Sequence, residues 1–403
     1  MNKHSLLYSI LLIVFSLIIC TQSSAQIIPA KFGKGLRING VDSTFQLKIG
    51  FRFQSLIVAD WDLADEAQGF AADNDVTALI RRSRLKFDGW AYTPRLKYKL
   101  ELALSNRDNG GGNNDNFGNA ANIILDAHLT YNFYKNFAIR FGQGKLAGNR
   151  ERVVSSANLQ FVDRSRLNSR YTIDRDVFIQ LSNHNTLGEE FLIKQSASVG
   201  TGEGKNHLTG YNGGFNYTYR LEFLPFGKFK SKGDYVGSSI KRESKPKLAV
   251  GLTYDNNNNA GRERGQKGSF ITDSNGNITG KDLNTFFADL MFKYQGLSVM
   301  IEYADKWAPD GPRVFENEMV IGEYYTGTGI NIATGLMFKN DMEVALRYTA
   351  IDAELATDET QYTVGFNKFF VGHKLKIQTD FTWIDRVERQ NSTLFRTQVD
   401  IHF

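Results

Sequence analysis

The residues of this chain that are best suited to chemistry are basic and closely spaced. In the run Arg81-Arg82-Ser83-Arg84-Leu85-Lys86, three cations occupy alternate positions. If the run is a strand, Arg82, Arg84 and Lys86 form one row about 7 Å apart, because alternate residues face the same side. A guanidinium suits oxyanions because its planar fork matches two oxygens at once. The spacing therefore predicts a row of groups that passes an anion from site to site.

A structural role for the same row is equally open. Asp88, Glu101 and Asp126 share its phase on segments that would be neighbouring strands. Opposite charges that face each other across a sheet form stabilising pairs. The row can therefore be an anion path, a set of cross-strand ion pairs, or both.

Signals for covalent or metal chemistry are weak. The six histidines are scattered without metal-ligand spacing, and the one cysteine is Cys20. His128 and Asp126 share one inner face, and we interpret them as a hydrogen-bonded pair rather than a catalytic dyad. The sequence predicts no catalytic residue, no metal and no cofactor. A net charge of +5 is too small to indicate nucleic-acid binding.

Alternation with a period of two residues runs along most of the chain. In the last segment, Phe395, Val399 and Phe403 fall on one face, and Arg396 and Asp400 fall on the other. Long strands with one apolar and one charged face suit a sheet that lies between lipid and water. The pattern predicts an all-β fold, specifically a transmembrane antiparallel β-barrel.

The connections between these segments alternate in length. Short turns are predicted at Tyr92–Pro94, Tyr134–Asn136, Gln295–Gly296, Lys339–Asp341 and Phe370–Gly372. Long polar loops are predicted at Asp60–Val76, Asn106–Ala121, Gly142–Thr172, Thr201–Tyr211, Asp255–Lys281 and Asp305–Asn317. Short periplasmic turns and long extracellular loops are typical of outer-membrane barrels, and the count gives about sixteen strands. One connection, Gly227–Lys245, should be a short turn but is long. The four-Asn run Asn256–Asn259 is assigned to a loop.

Strand phase also sorts the charges. The face opposite the apolar one carries fifteen Lys and Arg against eight Asp and Glu, and its cations include Lys97, Lys99 and Arg140. A basic ring in a narrow pore attracts anions and repels cations. The lumen is therefore predicted to prefer anions.

A second basic cluster lies in the longest loop, residues 142–172. Folded into the barrel, its arginines would define a constriction; capping the outside, they would form a solvated or lipopolysaccharide-facing patch. Leu159, Phe161 and Val162 favour the inward arrangement, because they can pack against a wall. The basic residues of this region are Lys145, Arg150, Arg152, Arg164, Arg166 and Arg170, with Arg175 just beyond.

The two ends of the chain indicate export. Lys3 and His4 precede an apolar run that leads to the small residue Ala25, the pattern of a signal peptide. We predict a cleaved signal, residues 1–25, and an outer-membrane barrel, residues 26–403, in a Gram-negative envelope. A lipoprotein signal at Cys20 is the alternative. Phe403 at the end of the last strand predicts contact with the barrel-assembly machinery, and the apolar face predicts contact with lipid and lipopolysaccharide.

Several short motifs together resemble one family of porins. They are Arg81-Arg82-Ser83-Arg84 followed by Gly89, Arg140-Phe141-Gly142-Gln143-Gly144-Lys145, and Phe161-Val162-Asp163-Arg164-Ser165 followed by Asp174-Arg175-Asp176. With the terminal Phe403, they resemble the phosphate-selective porin O/P family in its Bacteroidetes-type form. The resemblance implies a sixteen-stranded homotrimeric channel in which Arg82 and Arg84 on the wall and Arg164 in the loop guide phosphate through a constriction.

The sequence thus predicts a passive porin that prefers anions, for phosphate or similar oxyanions. The anion path is expected to include Arg82, Arg84, Lys86, Lys97, Lys99, Arg140, Lys145, Arg150, Arg164 and Arg175. A barrel that is not a channel is the alternative, either a surface enzyme, an adhesin or an assembly factor. A secreted soluble β-protein is a third and more distant class.

Overall fold

The computed structural model describes residues 26–28, 31–63, 74–109, 122–206 and 214–403. The predicted signal, residues 1–25, and the Asn-rich run at 113–116 lie outside these ranges. In the described part of the chain, no helix is long and apolar enough to cross a membrane. Its helices are short: Asn106–Asn109, Arg150–Val153 and Arg166–Tyr171, with 3-10 helices at Ser156–Asn158 and Lys230–Tyr235.

Strands dominate the structure. Those of the first half are β1 (Gln26–Ile28), β2 (Leu36–Asn39), β3 (Phe45–Asp62), β4 (Asn74–Ala91), β5 (Thr93–Ala103), β6 (Ile124–Tyr134), β7 (Phe137–Lys145), β8 (Arg175–Leu187), β9 (Phe191–Gly200) and β10 (Asn216–Leu224). Those of the second half are β11 (Lys247–Ala260), β12 (Lys281–Tyr294), β13 (Leu297–Trp307), β14 (Arg313–Glu316), β15 (Met319–Glu323), β16 (Gly327–Met337), β17 (Met342–Ala353), β18 (Glu359–Phe369), β19 (Leu375–Arg386) and β20 (Ser392–His402).

Sixteen of these strands, β3–β13 and β16–β20, form one closed antiparallel barrel, which confirms the predicted fold class. The last strand closes it on the first, from Ser392 opposite Asp62 to His402 opposite Arg52. Short β2 continues beside the start of β3, and β1 pairs with β2. The hairpin of β14 and β15 lies in the connection between β13 and β16.

The inner and outer faces follow the predicted alternation. On β20, Arg396 and Asp400 are 9% and 0% exposed, whereas Val399 on the opposite face is 46% exposed. On β19, Lys376 and Asp380 are likewise buried inside. This arrangement keeps charges away from lipid, where one Lys or Arg at the bilayer midplane would cost about 2–4 kcal/mol. The barrel interior is therefore polar.

The short turns lie where they are predicted. The connection between β12 and β13 is the residue pair Gln295 and Gly296, with φ angles of 44° and 102°. Positive φ at both central residues is what a tight two-residue hairpin needs, because that turn matches the twist of the strands. A Cβ at Gly296 would also lie 2.7 Å from the carbonyl oxygen of Met337.

The assignment of Asn256–Asn259 to a loop is wrong, because β11 continues through them to Ala260. Asparagine has low strand propensity, but tertiary contacts override such propensities. Asn256 donates through Nδ2 to Asn284 Oδ1 on β12 at 2.7 Å, and Asn257 donates to the carbonyl oxygen of Gly202 at 2.9 Å. Cross-strand amide pairing therefore extends the strand.

Candidate functional site

The connection between β7 and β8, residues 146–174, folds into the barrel; we call it the constriction loop. Gln160 Nε2 donates to Ser298 Oγ on β13 at 2.9 Å, and the backbone N–H of Val162 donates to Asp380 Oδ2 on β19 at 3.1 Å. These contacts tie the loop to walls that are far from its own strands. Of the two arrangements that the sequence left open, the structure has the inward one.

Apolar side chains hold part of the loop against the wall. Leu159, Phe161 and Val162 are all buried. Phe161 packs in a cluster with small and apolar wall residues, and a Cβ at Gly365 of β18 would lie 3.1 Å from its ring. The absence of a side chain at Gly365 therefore lets the aromatic ring approach the strand backbone closely.

A carboxylate of the loop joins it to the predicted arginine row. Asp163 lies 3.1 Å from Arg81 and 3.0 Å from Arg82. A β-bulge opposite Gln54 and Ser55 turns both consecutive arginines inward, whereas simple alternation places only Arg82 there. Burial opposes the charge on Asp163, but Arg81 and Arg82 outweigh that effect and hold the pKa of its carboxyl well below the usual range.

Arg150 forms the centre of a buried ion network. Its Nε donates to Asp289 Oδ1 on β12 at 2.7 Å, and Nη1 donates to the carbonyl oxygen of Asp234 at 3.0 Å. Arg220 on β10 bridges the same Asp289 and Glu222, each at 2.7 Å. Such a network needs partners from distant strands, so the sequence alone gave no signal that Arg220 belongs to it.

Arg164 is also engaged within the loop. It donates to the carbonyl oxygens of Glu151 and Val154, both at 2.8 Å. The structure therefore places Arg82, Arg150 and Arg164 in contacts that secure the constriction loop, although all three were expected on the anion path.

A second segment also enters the barrel. Residues 227–246 lie in the connection between β10 and β11 at the periplasmic end, and we call them the periplasmic insertion. The backbone N–H of Gly237 donates to the carbonyl oxygen of Asn158 in the constriction loop at 2.8 Å. Ser238 Oγ donates to Glu343 Oε2 on β17 at 2.7 Å. The sequence indicated only that this connection is too long for a turn, and its inward fold was not predicted.

Between these two segments and the wall formed by β4–β10 lies a cavity of 790 Å³. Its lining carries ten Lys and Arg side chains and four carboxylates. The cations are Arg84, Lys99, Lys135, Arg140, Lys145, Arg175, Lys194, Arg220, Lys228 and Lys232; the carboxylates are Glu101, Asp126, Glu222 and Asp234.

Five of the residues expected on the anion path line this cavity. Lys86 does not, and its Nζ lies 3.0 Å from Asp88 near the periplasmic end of β4. Lys97 does not line it either, and is exposed near the start of β5. The five that do are Arg84, Lys99, Arg140, Lys145 and Arg175.

Several of these lining cations form the ion pairs that the alternative interpretation described. Arg84 lies 2.9 Å from Glu101, and Lys99 lies 2.8 Å from the same carboxylate. Arg175 donates through Nε to Asp126 Oδ1 at 2.7 Å, and Lys99 also contacts Asp126. The pairs fix the side chains on the wall while leaving them at the cavity surface.

Other cations in this region lack such partners. Lys145 Nζ donates to the carbonyl oxygen of Arg152 at 2.8 Å, and Arg140 Nη2 donates to that of Lys145 at 3.1 Å. Within the described residues, neither Lys145 nor Arg140 forms an ion pair with a carboxylate. Arg152, by contrast, pairs with Asp174, and burial, followed by the nearby charges of Arg164 and Arg175, holds its pKa well below the ordinary value. Positive charge is thus in excess where the loop narrows the lumen.

The described residues contain no group of three or more His, Cys, Asp or Glu that could hold a metal ion. His128 lies on the cavity wall, but its Nδ1 has no hydrogen-bond partner in the described chain. Asp126 is engaged by Arg175 and Lys99 instead. The predicted hydrogen bond between His128 and Asp126 is therefore wrong, because the cations of β5 and β8 take the carboxylate.

Comparison with known proteins identifies the family of this chain. The family model of the phosphate-selective porins O and P matches residues 49–305. The chain belongs to this family. An uncharacterized protein of Aquifex aeolicus (strain VF5) is 25% identical to the porin over 295 residues, which is 69% of this chain and 67% of that protein.

Solved outer-membrane proteins share the porin's fold at low identity. Salmonella typhi OmpF, solved with daunomycin, matches with a TM-score of 0.56 and 10% identity over 89% of this chain and 98% of its own. The outer membrane channel DcaP of Acinetobacter baumannii has a TM-score of 0.53 and 11% identity, with 90% and 99% covered. An anion-selective porin from Comamonas acidovorans has a TM-score of 0.50 and 11% identity, with 89% and 100% covered.

Family and fold together establish the general role. The porin is a channel protein of the outer membrane, built as a closed sixteen-stranded barrel.

Proposed function

We propose that the porin is a passive, anion-preferring diffusion channel for phosphate or similar oxyanions. The observation that carries this proposal is the excess of cations over carboxylates around the 790 Å³ cavity. A net positive lining in a narrow pore raises the local concentration of anions and lowers that of cations. The family name and the anion-selective porin from Comamonas acidovorans are consistent with this selectivity.

The mechanism follows from how the lining cations are held. Arg84, Lys99 and Arg175 are fixed by carboxylates, so their residual attraction for a solute is weak. Arg140 and Lys145 donate to backbone carbonyls at the narrowing, and neither forms an ion pair with a carboxylate of the described residues. Conduction requires binding that is favourable enough for entry and weak enough for release. An anion would therefore pass between these groups without covalent chemistry or a cofactor.

The same proposal includes how the protein reaches and occupies the membrane. A cleaved signal, residues 1–25, would direct export, and the final strand ending at Phe403 would engage the barrel-assembly machinery. Lipid and lipopolysaccharide would cover the apolar outer face. A Vibrio cholerae outer membrane protein of this fold was solved in a trimer form, which supports a homotrimer here. The native mass in detergent tests the oligomeric state.

The test of function is single-channel recording in a planar bilayer under a KCl gradient. We expect a reversal potential that reports chloride preference and a current that added phosphate reduces. A conducting pore without anion preference would overturn the selectivity. Folded protein without any current would overturn the channel and favour the alternative of a barrel that does not conduct.

Variants that remove positive charges test which side chains cause the anion preference. Arg140→Gln combined with Lys145→Gln is expected to move the reversal potential towards zero, because these two cations lack a carboxylate partner. Lys368→Gln is the matched control, since Lys368 donates to the carbonyl oxygen of Asn340 at an exposed site on the outer face of β18. Equal shifts in both variants would contradict the assignment of the anion path.

A further inference from the structure

The size of the cavity bears on the kind of anion that the porin accepts. Binding sites of roughly 300–1,000 Å³ are typical for organic molecules. At 790 Å³, the space between the constriction loop, the periplasmic insertion and the wall belongs to that class. A bare inorganic oxyanion would contact only a small part of it.

The chemistry of the wall changes along this space. Arg140 on β7 stands directly opposite Gln180 on β8. Beyond that pair, towards the periplasm, Ser182 on β8 stands opposite Ser196 on β9. Gln180, Ser182 and Ser196 all line the cavity. The cations at the narrowing are thus followed on β8 and β9 by a strip of neutral carboxamide and hydroxyl groups, and Lys135, Lys228 and Lys232 also line the cavity.

Two carboxylates line the same cavity as this neutral strip. Glu222 and Asp234 line the same cavity, and Lys194 lies 3.6 Å and 2.5 Å from them. A carboxylate accepts hydrogen bonds but cannot donate them, whereas amides and hydroxyls do both. An inorganic oxyanion can accept from the amide and hydroxyl groups, but it is repelled by the carboxylates and has few donors to offer them. A solute that carries its own hydroxyl groups can use all of them.

We propose that the preferred solute is a hydroxylated organic anion, such as a sugar phosphate or a sugar acid. Its acidic group would sit at Arg140 and Lys145, and its hydroxyl groups would follow Gln180, Ser182 and Ser196. This inference rests on the proposed anion channel and deepens it by naming the class of solute. Glucose 6-phosphate is a suitable probe, with inorganic phosphate and glucose as the matched halves of its chemistry.

The experiment measures how each probe blocks the chloride current through the purified, full-length porin in planar bilayers. Glucose 6-phosphate is expected to block at a concentration at least about tenfold below that of inorganic phosphate, and glucose is expected to block least. Each hydrogen bond gained along the strip corresponds to about a 2- to 10-fold change in binding. Equal block by glucose 6-phosphate and phosphate would overturn the inference.

Serine-to-alanine variants test whether the neutral strip causes the stronger block by glucose 6-phosphate. The double substitution Ser182→Ala and Ser196→Ala is expected to weaken block by glucose 6-phosphate about tenfold and to leave block by phosphate unchanged. Ser198→Ala is the control, because Ser198 is a serine on β9 that does not line the cavity. A blocking ratio that the double variant does not change, or that Ser198→Ala changes equally, would overturn the role of the strip.

Different results would overturn the proposed anion channel and the proposed class of solute. A reversal potential without anion preference would overturn the proposed function, and this inference with it. A clear chloride preference with no advantage for glucose 6-phosphate would overturn only the inference. Slower gel mobility after boiling checks that each variant forms the folded barrel before its block is measured.

Discussion

At the scale of single residues, Asp163 ties the constriction loop to β4. It contacts Arg81 and Arg82, which the bulge in β4 turns towards it. Removing one partner of a buried ion pair is costly, because the other charge stays buried without compensation. Arg82 is 3% exposed, so it cannot recover its hydration when the carboxylate is lost.

We therefore predict that Asp163→Asn destabilises the folded porin by about 3–5 kcal/mol and makes its single-channel conductance larger and noisier. The conductance changes because the constriction loop loses its tie to β4. Urea unfolding and bilayer recording measure the two effects. Glu189→Gln, at an exposed carboxylate in the turn between β8 and β9, is the control. Wild-type stability in Asp163→Asn would contradict this role.

Gly365 offers a steric test of the same loop. A Cβ there would lie 3.1 Å from the Phe161 ring, so Gly365→Val is expected to displace the ring and destabilise the protein by about 1–3 kcal/mol. The same change at Gly50, where the nearest atom is 3.5 Å away, should cost less. Unfolding curves compare the two variants; equal losses would mean that strand glycines as such, and not Phe161, set the cost.

At the scale of elements, two connections between strands enter the lumen from opposite ends and narrow it. The constriction loop enters from the extracellular end and the periplasmic insertion from the other, and they meet where Gly237 donates to the carbonyl oxygen of Asn158. β10 and β11 pair through their own strand residues, from Asn216 opposite Asn257 to Phe223 opposite Val250. The insertion is thus separable from the barrel wall that it joins.

Replacing residues 228–244 by a short turn is therefore expected to preserve the barrel and to raise single-channel conductance. The cavity loses the wall that contains Phe229, Asp234 and Tyr235, so the passage widens. The control is a deletion that shortens the β14–β15 hairpin, because this hairpin contains none of the residues that line the cavity. Unchanged conductance after removal of the insertion would show that it does not limit flow.

At the scale of the whole molecule, the barrel separates water from lipid across a single strand thickness. Leu181 and Ser182 are neighbours on β8, yet Leu181 is 47% exposed on the outer face and Ser182 lines the cavity. The two residues are adjacent in sequence, but one side chain faces lipid and the other faces the water of the lumen.

Arginine substitutions at this pair make the separation measurable. Leu181→Arg is expected to cost about 2–4 kcal/mol of folding free energy in a bilayer, because the charge faces lipid. Ser182→Arg should be tolerated, because its charge faces water in the cavity. Denaturant unfolding in liposomes compares them. A larger cost at Ser182 than at Leu181 would mean that the inner and outer faces of β8 are reversed.

The sequence by itself determined the barrel and its two faces. Alternation along a strand is a local property, so the directions of Arg82, Arg84 and Lys99 and the positions of the short turns could be read from neighbouring residues. The tertiary structure decided what fills the lumen. Whether Arg82 or Arg150 lines a passage or anchors a loop depends on Asp163 and Asp289, which other strands and loops bring from far along the chain. Contacts of that kind have no periodic signal, and neither the bulge at Arg81 nor the inward fold of the periplasmic insertion could be inferred without them.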